Sequence, residues 1–417
     1  MMPREVYDAV DFDAIRDFLK RPDLEGQYFE RKEHRSPEAL AQTVSAFANS
    51  NPEGGLIIVG VTDRERKIVG VNRPAGTIAT PINKMLRYPE HLVENPAEYR
   101  LVHSTDDDGQ PNQLLLIYVS FSARRVIELT DRTAYERRGD QTVKLRDEEK
   151  NELRYVKGQK SFEDEFAASY ESTVLAEDIL QQWTQAIIAR NNLQSPHTPR
   201  DLLINKHLLT EKAGQQYMTY AGILLFAQDP KKFLSGAYVR FLRYDGNVEQ
   251  YGVQQNLIKD ETFTGPLPLL LTRVRDFMRT QVREFSYLGP AGRFIDEPEY
   301  PEFVWDEAMV NALVHRSYSF QNVPIFIKMF DDHLEVISPG DYPLGVRPGY
   351  FIHNPRNSNL MEAMRYLQYV KMAQEGTRRM FQLMREAGLP EPEYSPAGQP
   401  TVKVLLRNDI SRRRRAR

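Results

Sequence analysis

The sequence contains no cysteine in its 417 residues. That absence excludes disulfide frameworks, cysteine-ligated zinc, iron–sulfur clusters and thiol catalysis. Long apolar runs are missing too, since the longest, Tyr220 to Ala227, is far shorter than the roughly 20 residues that a membrane span needs. No apolar segment precedes the first charged residues, so we expect no secretory signal, a cytoplasmic protein and no membrane partner.

Two further absences narrow the class of protein. The phosphate-binding pattern G-x4-G-K-[ST] does not occur, which excludes the nucleotide site of a P-loop motor. No unit of 20 to 50 residues repeats, which excludes solenoids and propellers. The composition, with 41% hydrophobic and 27% charged residues, is that of a globular chain, and the length predicts two or three domains.

The charge distribution is uneven. The net charge is −3, and it becomes −8 without the five arginines of the basic tail, residues 409–417. Such a tail is either a solvated, disordered end or an arm that contacts phosphates. Because the rest of the chain is acidic, any surface for nucleic acid must be local.

The region from Leu24 to Val71 has the clearest pattern. Ser36, Pro37 and Glu38 form a favourable helix start, and apolar residues then recur at helical spacing up to Ala48. After Gly54-Gly55, the apolar run Leu56–Val61 predicts a strand buried on both faces. A second short strand is predicted at Ile68–Val71, and a longer one at Gln113–Phe121.

Three carboxylates flank these predicted strands. Asp63 follows the buried strand, at the edge where open α/β sheets place ligands, and Glu25 and Glu30 flank a strand-like GQYF. If the two elements are neighbours, the three carboxylates meet close to Lys32. Oxygen ligands of this kind suit Mg²⁺ or Mn²⁺, which activate water against phosphodiesters. The alternative is that these are ordinary surface acids.

The motifs LEGQYFERKE, AFANS, GGLIIVGVTD and IVGV, in this order, resemble the Schlafen AlbA-type domain, with YERRGDQT matching a later element. The resemblance covers residues 1–160 and departs from the family at the insertion Asn51-Pro52-Glu53. It implies a metal-dependent nuclease, with Glu25, Glu30 and Asp63 as metal ligands and Lys32 as a fourth catalytic residue. Structured, tRNA-like RNA is the implied substrate, and bacterial defence is the role suggested by analogy.

A group of basic and aromatic residues lies in the same region. It predicts a nucleic-acid-contacting strand, although a solvated charged face explains the pattern equally well. The candidates are Tyr135, Arg137, Arg138, Lys144 and Arg146.

The C-terminal half contains a second pattern. Glu307, Asn311 and His315 recur every four residues, so a helix would place them on one face, where Asn311 suits Mg²⁺ and Glu307 suits a water. An amphipathic helix with a polar rim is the simpler origin. A hairpin is predicted over Ile325–Ile337, turning at Asp331-Asp332.

The surrounding motifs, among them AGILLFAQDP, EAMVNALVHRSY, FDDHLEVISPGDYP, NPRN and EGTRRM, resemble RecG-like proteins with a GHKL-type ATP-binding fold, over residues 196–408. The resemblance implies bound ATP. Two positions depart from the family pattern: Ser338 replaces an asparagine, and Gln374-Glu375-Gly376 replaces a GTG loop. The candidate nucleotide contacts are Glu307, Asn311, Ser338, Gly340, Arg356, Gly376 and Arg379.

The sequence therefore predicts an α+β protein. An AlbA-like domain (1–160), a linker and helix (161–195) and a GHKL-like α/β sandwich (196–408) precede the tail. The leading hypothesis is a metal-dependent endoribonuclease that its second domain regulates or oligomerises, most simply as a homo-oligomer. The alternatives are a non-catalytic, ATP-sensing, DNA-binding transcriptional regulator and an oligomeric scaffold that has lost its ligand.

Overall fold

A computed structural model describes residues 1–9, 12–72, 81–194, 197–288, 292–342, 355–370, 376–396 and 399–408. The basic tail and the pair Gln374-Glu375 lie outside these residues. The chain divides into two compact units, Met1–Lys160 and Ser161–Arg417. Helices and sheets alternate in both, which confirms the α+β class. Within the described residues, no helix is both long and apolar enough to cross a membrane.

The N-terminal unit is built on one four-stranded sheet of order β1-β2-β4-β3. β1 and β2 are parallel and the other neighbours are antiparallel. A separate hairpin, β5-β6, follows the sheet. The elements of this unit are α1 Pro3–Asp8, α2 Phe12–Leu19, β1 Phe29–Lys32, α3 Pro37–Ser50, β2 Gly55–Val59, α4 Ile82–Met85, β3 Ala97–Thr105, β4 Pro111–Val119, β5 Tyr135–Arg138, β6 Gln141–Lys144 and α5 Asp147–Val156.

The predicted helix and buried strand of this unit are confirmed. Ser36 caps α3, because its Oγ accepts a hydrogen bond from the Ala39 amide at 3.2 Å. All five residues of β2 are buried, with alternate side chains in two different core clusters. Gly55 lets β2 approach α3 closely, since a Cβ there would lie 2.2 Å from the Phe47 ring. The strand expected at Ile68–Val71 is wrong: only a Val61–Ile68 bridge forms, because the chain bends at Gly60 and Gly70, both with positive φ.

The C-terminal unit contains a six-stranded sheet of order β11-β10-β14-β15-β17-β16, against which α9 and α10 pack. A three-stranded sheet, β7-β9-β8, and a two-stranded hairpin, β12-β13, accompany it. The elements are β7 Phe166–Ser169, α6 Glu177–Asn191, α7 Pro199–Asn205, β8 Leu209–Lys212, β9 Gln215–Thr219, α8 Tyr220–Phe226, β10 Val239–Tyr244, β11 Leu257–Phe263, α9 Leu267–Gln281, β12 Glu284–Leu288, β13 Phe294–Pro298, α10 Glu302–Val314, β14 Ile325–Met329, β15 His333–Pro339, α11 Ser358–Tyr366, α12 Gly376–Glu386, β16 Glu393–Tyr394 and β17 Thr401–Arg407.

The predicted hairpin over Ile325–Ile337 is confirmed as β14 and β15. The linker expected from residue 161 is partly wrong, since β7 pairs with β9 and the Phe162 ring stacks on Tyr220 with ring centroids 4.5 Å apart. The polar composition of this segment is typical of a linker, but its acidic residues take part in the fold. Glu163, for example, accepts two backbone amide hydrogen bonds at the start of α11.

Candidate functional site

The predicted catalytic residues of the N-terminal unit occupy one end of two neighbouring strands. Glu30 and Lys32 belong to β1, which runs parallel to β2 with Lys32 opposite Val59. Asp63 follows β2, and Glu25 precedes β1. Because parallel strands end at the same edge of a sheet, the topology brings these residues together.

The three carboxylates converge on the Lys32 ammonium. Lys32 Nζ lies 3.0 Å from Glu30 Oε1, 3.8 Å from Asp63 Oδ2 and 3.9 Å from Glu25 Oε1. The backbone helps to hold the group, since the Arg31 amide donates to Glu25 Oε1 at 3.0 Å. The cluster is thus built around one positive charge.

Two of the carboxylates share a hydrogen bond. Burial, followed by the hydrogen bond to Asp63, raises the pKa of Glu25. The same hydrogen bond, helped by the nearby Lys32, lowers the pKa of Asp63, which is the more exposed partner. The two pKa shifts have opposite directions, so Glu25 is the more easily protonated carboxylate of the pair.

Arg137 holds the third carboxylate from inside the domain. Its Nη1 lies 2.6 Å from Glu30 Oε2, and its side chain is 1% exposed. Its Nε donates to the Gly26 carbonyl at 2.9 Å, and its guanidinium lies over the Phe47 ring. The prediction that Arg137 contacts nucleic acid is therefore wrong, because a buried guanidinium cannot reach a phosphate. It is a positioning residue for Glu30.

The other predicted nucleic-acid contacts divide into two kinds. Tyr135 packs against the hydrophobic core rather than presenting its ring to a base. Arg138 and Arg146 reach the surface, but each pairs with Glu149 at 3.2 Å, so their positive charge is partly neutralised locally. Lys144 is exposed on β6. The sequence alone does not show which of these side chains are buried. Neighbouring residues of a short hairpin point to opposite faces, and the buried face is set by what the hairpin packs against.

Arg35 is a residue that the sequence analysis missed. Its Nη2 lies 3.8 Å from Glu30 Oε1, and its side chain is 41% exposed. It lies three residues after Lys32, so its proximity to the site could have been inferred from the motif. It supplies a second, partly exposed positive charge beside Glu30.

In the C-terminal unit, the predicted nucleotide residues of α10 and α12 are brought together. Asn311 Nδ2 donates to Glu307 Oε1 at 3.1 Å, as the four-residue spacing predicts. Burial raises the pKa of Glu307. Gly376, the first residue of α12, lies directly against this carboxylate, since a Cβ there would be 1.9 Å from Glu307 Oε1. Arg379 stacks over the Phe303 ring at 4.6 Å.

The remaining candidates are bound to other parts of the unit. Ser338 Oγ donates to the Ala312 carbonyl at 2.8 Å, so the hydroxyl ties β15 to α10. Gly340 has φ +101° and lies against Ser317, where no side chain fits. Arg356 Nη2 donates to the Asp341 carbonyl at 2.7 Å. The residues predicted to contact the base and the phosphates of a nucleotide therefore contact other protein groups in this structure.

Comparison with known families agrees with these two regions. Residues 25–146 match the family described as "Schlafen, AlbA_2", and residues 322–406 match the family described as "Putative ATP-dependent DNA helicase recG C-terminal". The chain carries a Schlafen AlbA_2 domain. The first match spans the whole carboxylate cluster. The second begins after α10 and so omits Glu307 and Asn311. The architecture implied by the sequence motifs is confirmed, and both domain types point to a function that involves nucleic acids and a nucleotide.

The DIP2311 protein from Corynebacterium diphtheriae, a solved structure, is 21% identical to this chain. The alignment covers 97% of this chain and 80% of that one, with a TM-score of 0.45. No curated protein matches the chain significantly.

The carboxylates of the AlbA_2 domain are of the chemical type that binds divalent cations, and they point to a common position. Carboxylate oxygens are the donors that Mg²⁺ and Mn²⁺ prefer, and three residues direct theirs to one point. Nevertheless, no group of three or more His, Asp or Glu side chains in the described parts of the chain is arranged to hold a metal as it stands. The Lys32 ammonium lies between the three carboxylates in this structure.

Proposed function

We propose that the AlbA_2 domain is a metal-dependent endonuclease that cleaves structured, tRNA-like RNA. The observation that carries the proposal is the convergence of Glu25, Glu30 and Asp63 on a single cationic position at the end of β1 and β2. The preference for RNA over DNA rests on the family resemblance alone.

Each residue then has a distinct task. Glu25, Glu30 and Asp63 would hold Mg²⁺ or Mn²⁺, which supplies water activation and neutralises negative charge when bound. Arg137 fixes Glu30, so that one of the three carboxylates is preorganised. Lys32 and Arg35 bind phosphate oxygens beside the carboxylates.

The test is cleavage of labelled tRNA and single-stranded DNA by the full chain in Mn²⁺, Mg²⁺ or EDTA. We expect metal-dependent RNA cleavage that falls at least roughly a hundredfold in Glu25→Gln, Glu30→Gln and Asp63→Asn. The exposed Glu53→Gln, in the same domain, is the matched control and should cleave normally. Absence of cleavage with every metal, or undiminished cleavage by the three variants, would refute the proposal.

Lys32→Met separates the carboxylate cluster from its internal cation. We expect this variant to lose cleavage while gaining thermal stabilisation by Mn²⁺, because the ammonium no longer competes for the carboxylates. Equal Mn²⁺ responses in the variant and the wild type would show that Lys32 does not control cation binding.

One observation favours a second candidate, a non-catalytic, nucleotide-sensing, DNA-binding regulator. The carboxylates are already neutralised by Lys32 and Arg137, as expected for a structural ion-pair network. Salt-sensitive duplex binding without cleavage would support this candidate. ATP binding by the C-terminal unit, through Glu307 and Asn311, is tested separately by the shift in melting temperature with Mg·ATP and its loss in Asn311→Leu.

A further inference from the structure

The β12-β13 hairpin of the C-terminal unit is an exposed arm. Within the described residues, its two strands form a two-stranded sheet with each other and with no further strand. A two-stranded hairpin is marginal on its own and is normally covered by other structure. This one carries large apolar side chains that face solvent, among them Leu288 and Phe294, so this part of the hairpin is uncovered by the described residues.

One face of the arm combines an apolar tip with acids. Leu288 and Phe294 lie directly opposite each other in the register, and they are 64% and 75% exposed. Further along the same face, Ser286 pairs with Asp296, and Glu284 pairs with Pro298. Arg293 is the single base between Glu284 and Pro298, against three acids. The arm is therefore apolar at its end and negatively charged behind it, which disfavours nucleic acid as its partner.

The base of the arm is fixed in place. Glu299 is fully buried and binds Arg283 through Oε1 and Oε2, at 2.5 and 3.1 Å. Asn408 Nδ2 donates to the same carboxylate at 2.6 Å, and Arg283 Nη2 also donates to the Asp331 carbonyl. The arm is thus presented at a set position, which lowers the entropy cost of docking it.

A complementary cavity of about 810 Å³ lies elsewhere in the same unit. Its charged lining residues are arginines, Arg190 of α6 and Arg365 of α11, and acids are absent from the described residues that line it. Ala186, Ala189 and Val370 are small or apolar, and Tyr366 and Gln368 complete the described lining, so the cavity has room for a large side chain. Residues of the arm do not line this cavity.

In the described parts of the chain, the two arginines of the cavity have few acidic partners. Both lie in the last turn of a helix, where a cation stabilises the helix dipole. Among the described residues, Arg190 forms no ion pair, and Arg365 approaches its carboxylate, Glu362, only to 3.9 Å. Arg365 Nε is buried without a hydrogen-bond partner. The positive charge at the cavity is therefore only partly compensated within the described ranges, by the distant Glu362.

We propose that the arm of one copy of the chain docks into this cavity of a second copy. Leu288 and Phe294 fill the space beside the alanines, while Asp296 and Glu284 pair with Arg190 and Arg365. A two-fold axis lets each copy give its arm and receive the other, which closes the assembly as a dimer. The contact is independent of the nuclease proposal.

The experiment is light scattering after size-exclusion chromatography of the full chain. We expect a dimer that dissociates more readily at high salt, because opposite charges meet in the contact. Phe294→Asp should weaken association at least roughly thirtyfold, as loss of a buried aromatic anchor does. Val253→Asp, a matched change at another fully exposed apolar residue, should leave the dimer intact. Melting curves establish that both variants remain folded.

Charge exchange makes the test decisive. Arg190→Glu with Arg365→Glu reverses the cavity, and Glu284→Arg with Asp296→Arg reverses the arm. Each double variant alone should be monomeric, and an equimolar mixture should form a heterodimer in which both contacts are attractive. Arg124→Glu, an exposed change in the N-terminal unit, is the charge control. A monomeric wild type, a dimer insensitive to either reversal, or a mixture that stays monomeric would overturn the proposal.

Discussion

The two units hold their buried charges in different ways. In the N-terminal unit, Glu30 faces Arg137 at 2.6 Å and Lys32 at 3.0 Å, so opposite charges meet at a sheet edge. In the C-terminal unit, Glu299 is also ion-paired, with Arg283, but Glu307 and Glu163 are bound by uncharged groups, an amide side chain in one case and backbone amides in the other. Under the proposed function, the first arrangement would exchange its internal cation for a metal ion. The second seals its carboxylates within the protein, so a ligand must displace protein contacts first.

The strongest way to break this comparison is to remove the buried cation. We expect Arg137→Gln to lower the free energy of unfolding by about 3 to 5 kcal/mol, because Glu30 is left buried with only part of its compensation. Arg138→Gln changes the neighbouring, half-exposed arginine and should alter it by less than about 0.5 kcal/mol. Urea denaturation measures both values. Similar losses in the two variants would show that the Glu30 pair carries no special energy.

The second test concerns Glu163, a buried carboxylate of the C-terminal unit that forms no ion pair within the described residues. Burial raises the pKa of Glu163 to about 7, against 4.5 for an ordinary glutamate. Since the folded pKa is the higher one, its stabilising contribution is complete below about pH 4.5 and is lost as the pH rises towards 7. Relative to Glu163→Gln, the wild type should lose roughly 3 kcal/mol across that range. Parallel stability curves for the two proteins would contradict this assignment.

Lys157 is an exception in the N-terminal unit, because uncharged groups bind its buried ammonium. Its Nζ donates to the Ser122 and Ala48 carbonyls and lies over the Phe121 ring. Burial alone lowers its pKa to about 7, from 10.5.

The stability contributed by Lys157 is complete at high pH and is lost as the pH falls towards 7, opposite in direction to Glu163. Relative to Lys157→Met, the wild type should gain roughly 2 kcal/mol between about pH 7.5 and 9. The difference is read from thermal unfolding at several pH values, with Lys160→Met, an exposed neighbour, as the control. An unchanged difference across that range would mean that Lys157 stays charged in the fold.

The carboxylate cluster is predictable from the sequence because its members lie on or beside two neighbouring strands, and an apolar run bounded by glycines indicates the buried one. Arg137 is not predictable as the partner of Glu30, since these residues are 107 positions apart and only the folded hairpin brings them together. The hairpin's attachment explains why. Asn49 Nδ2 donates to the Ile127 and Tyr135 carbonyls, and Gln27 Nε2 donates to the Arg137 carbonyl. Such amide contacts leave no periodic trace in a sequence.

The smallest expected effect tests whether the C-terminal unit is sealed at Ser338. Ser338→Ala removes one buried hydrogen bond to the Ala312 carbonyl and should cost about 1 kcal/mol of unfolding free energy. Because this hydroxyl is already used within the protein, any melting-temperature shift that Mg·ATP produces should be unchanged in the variant. The exposed Ser120→Ala serves as the control for stability. A smaller ATP shift in Ser338→Ala would mean that the hydroxyl leaves α10 to contact the nucleotide, and the contrast between an exchangeable N-terminal cluster and a sealed C-terminal one would then no longer hold.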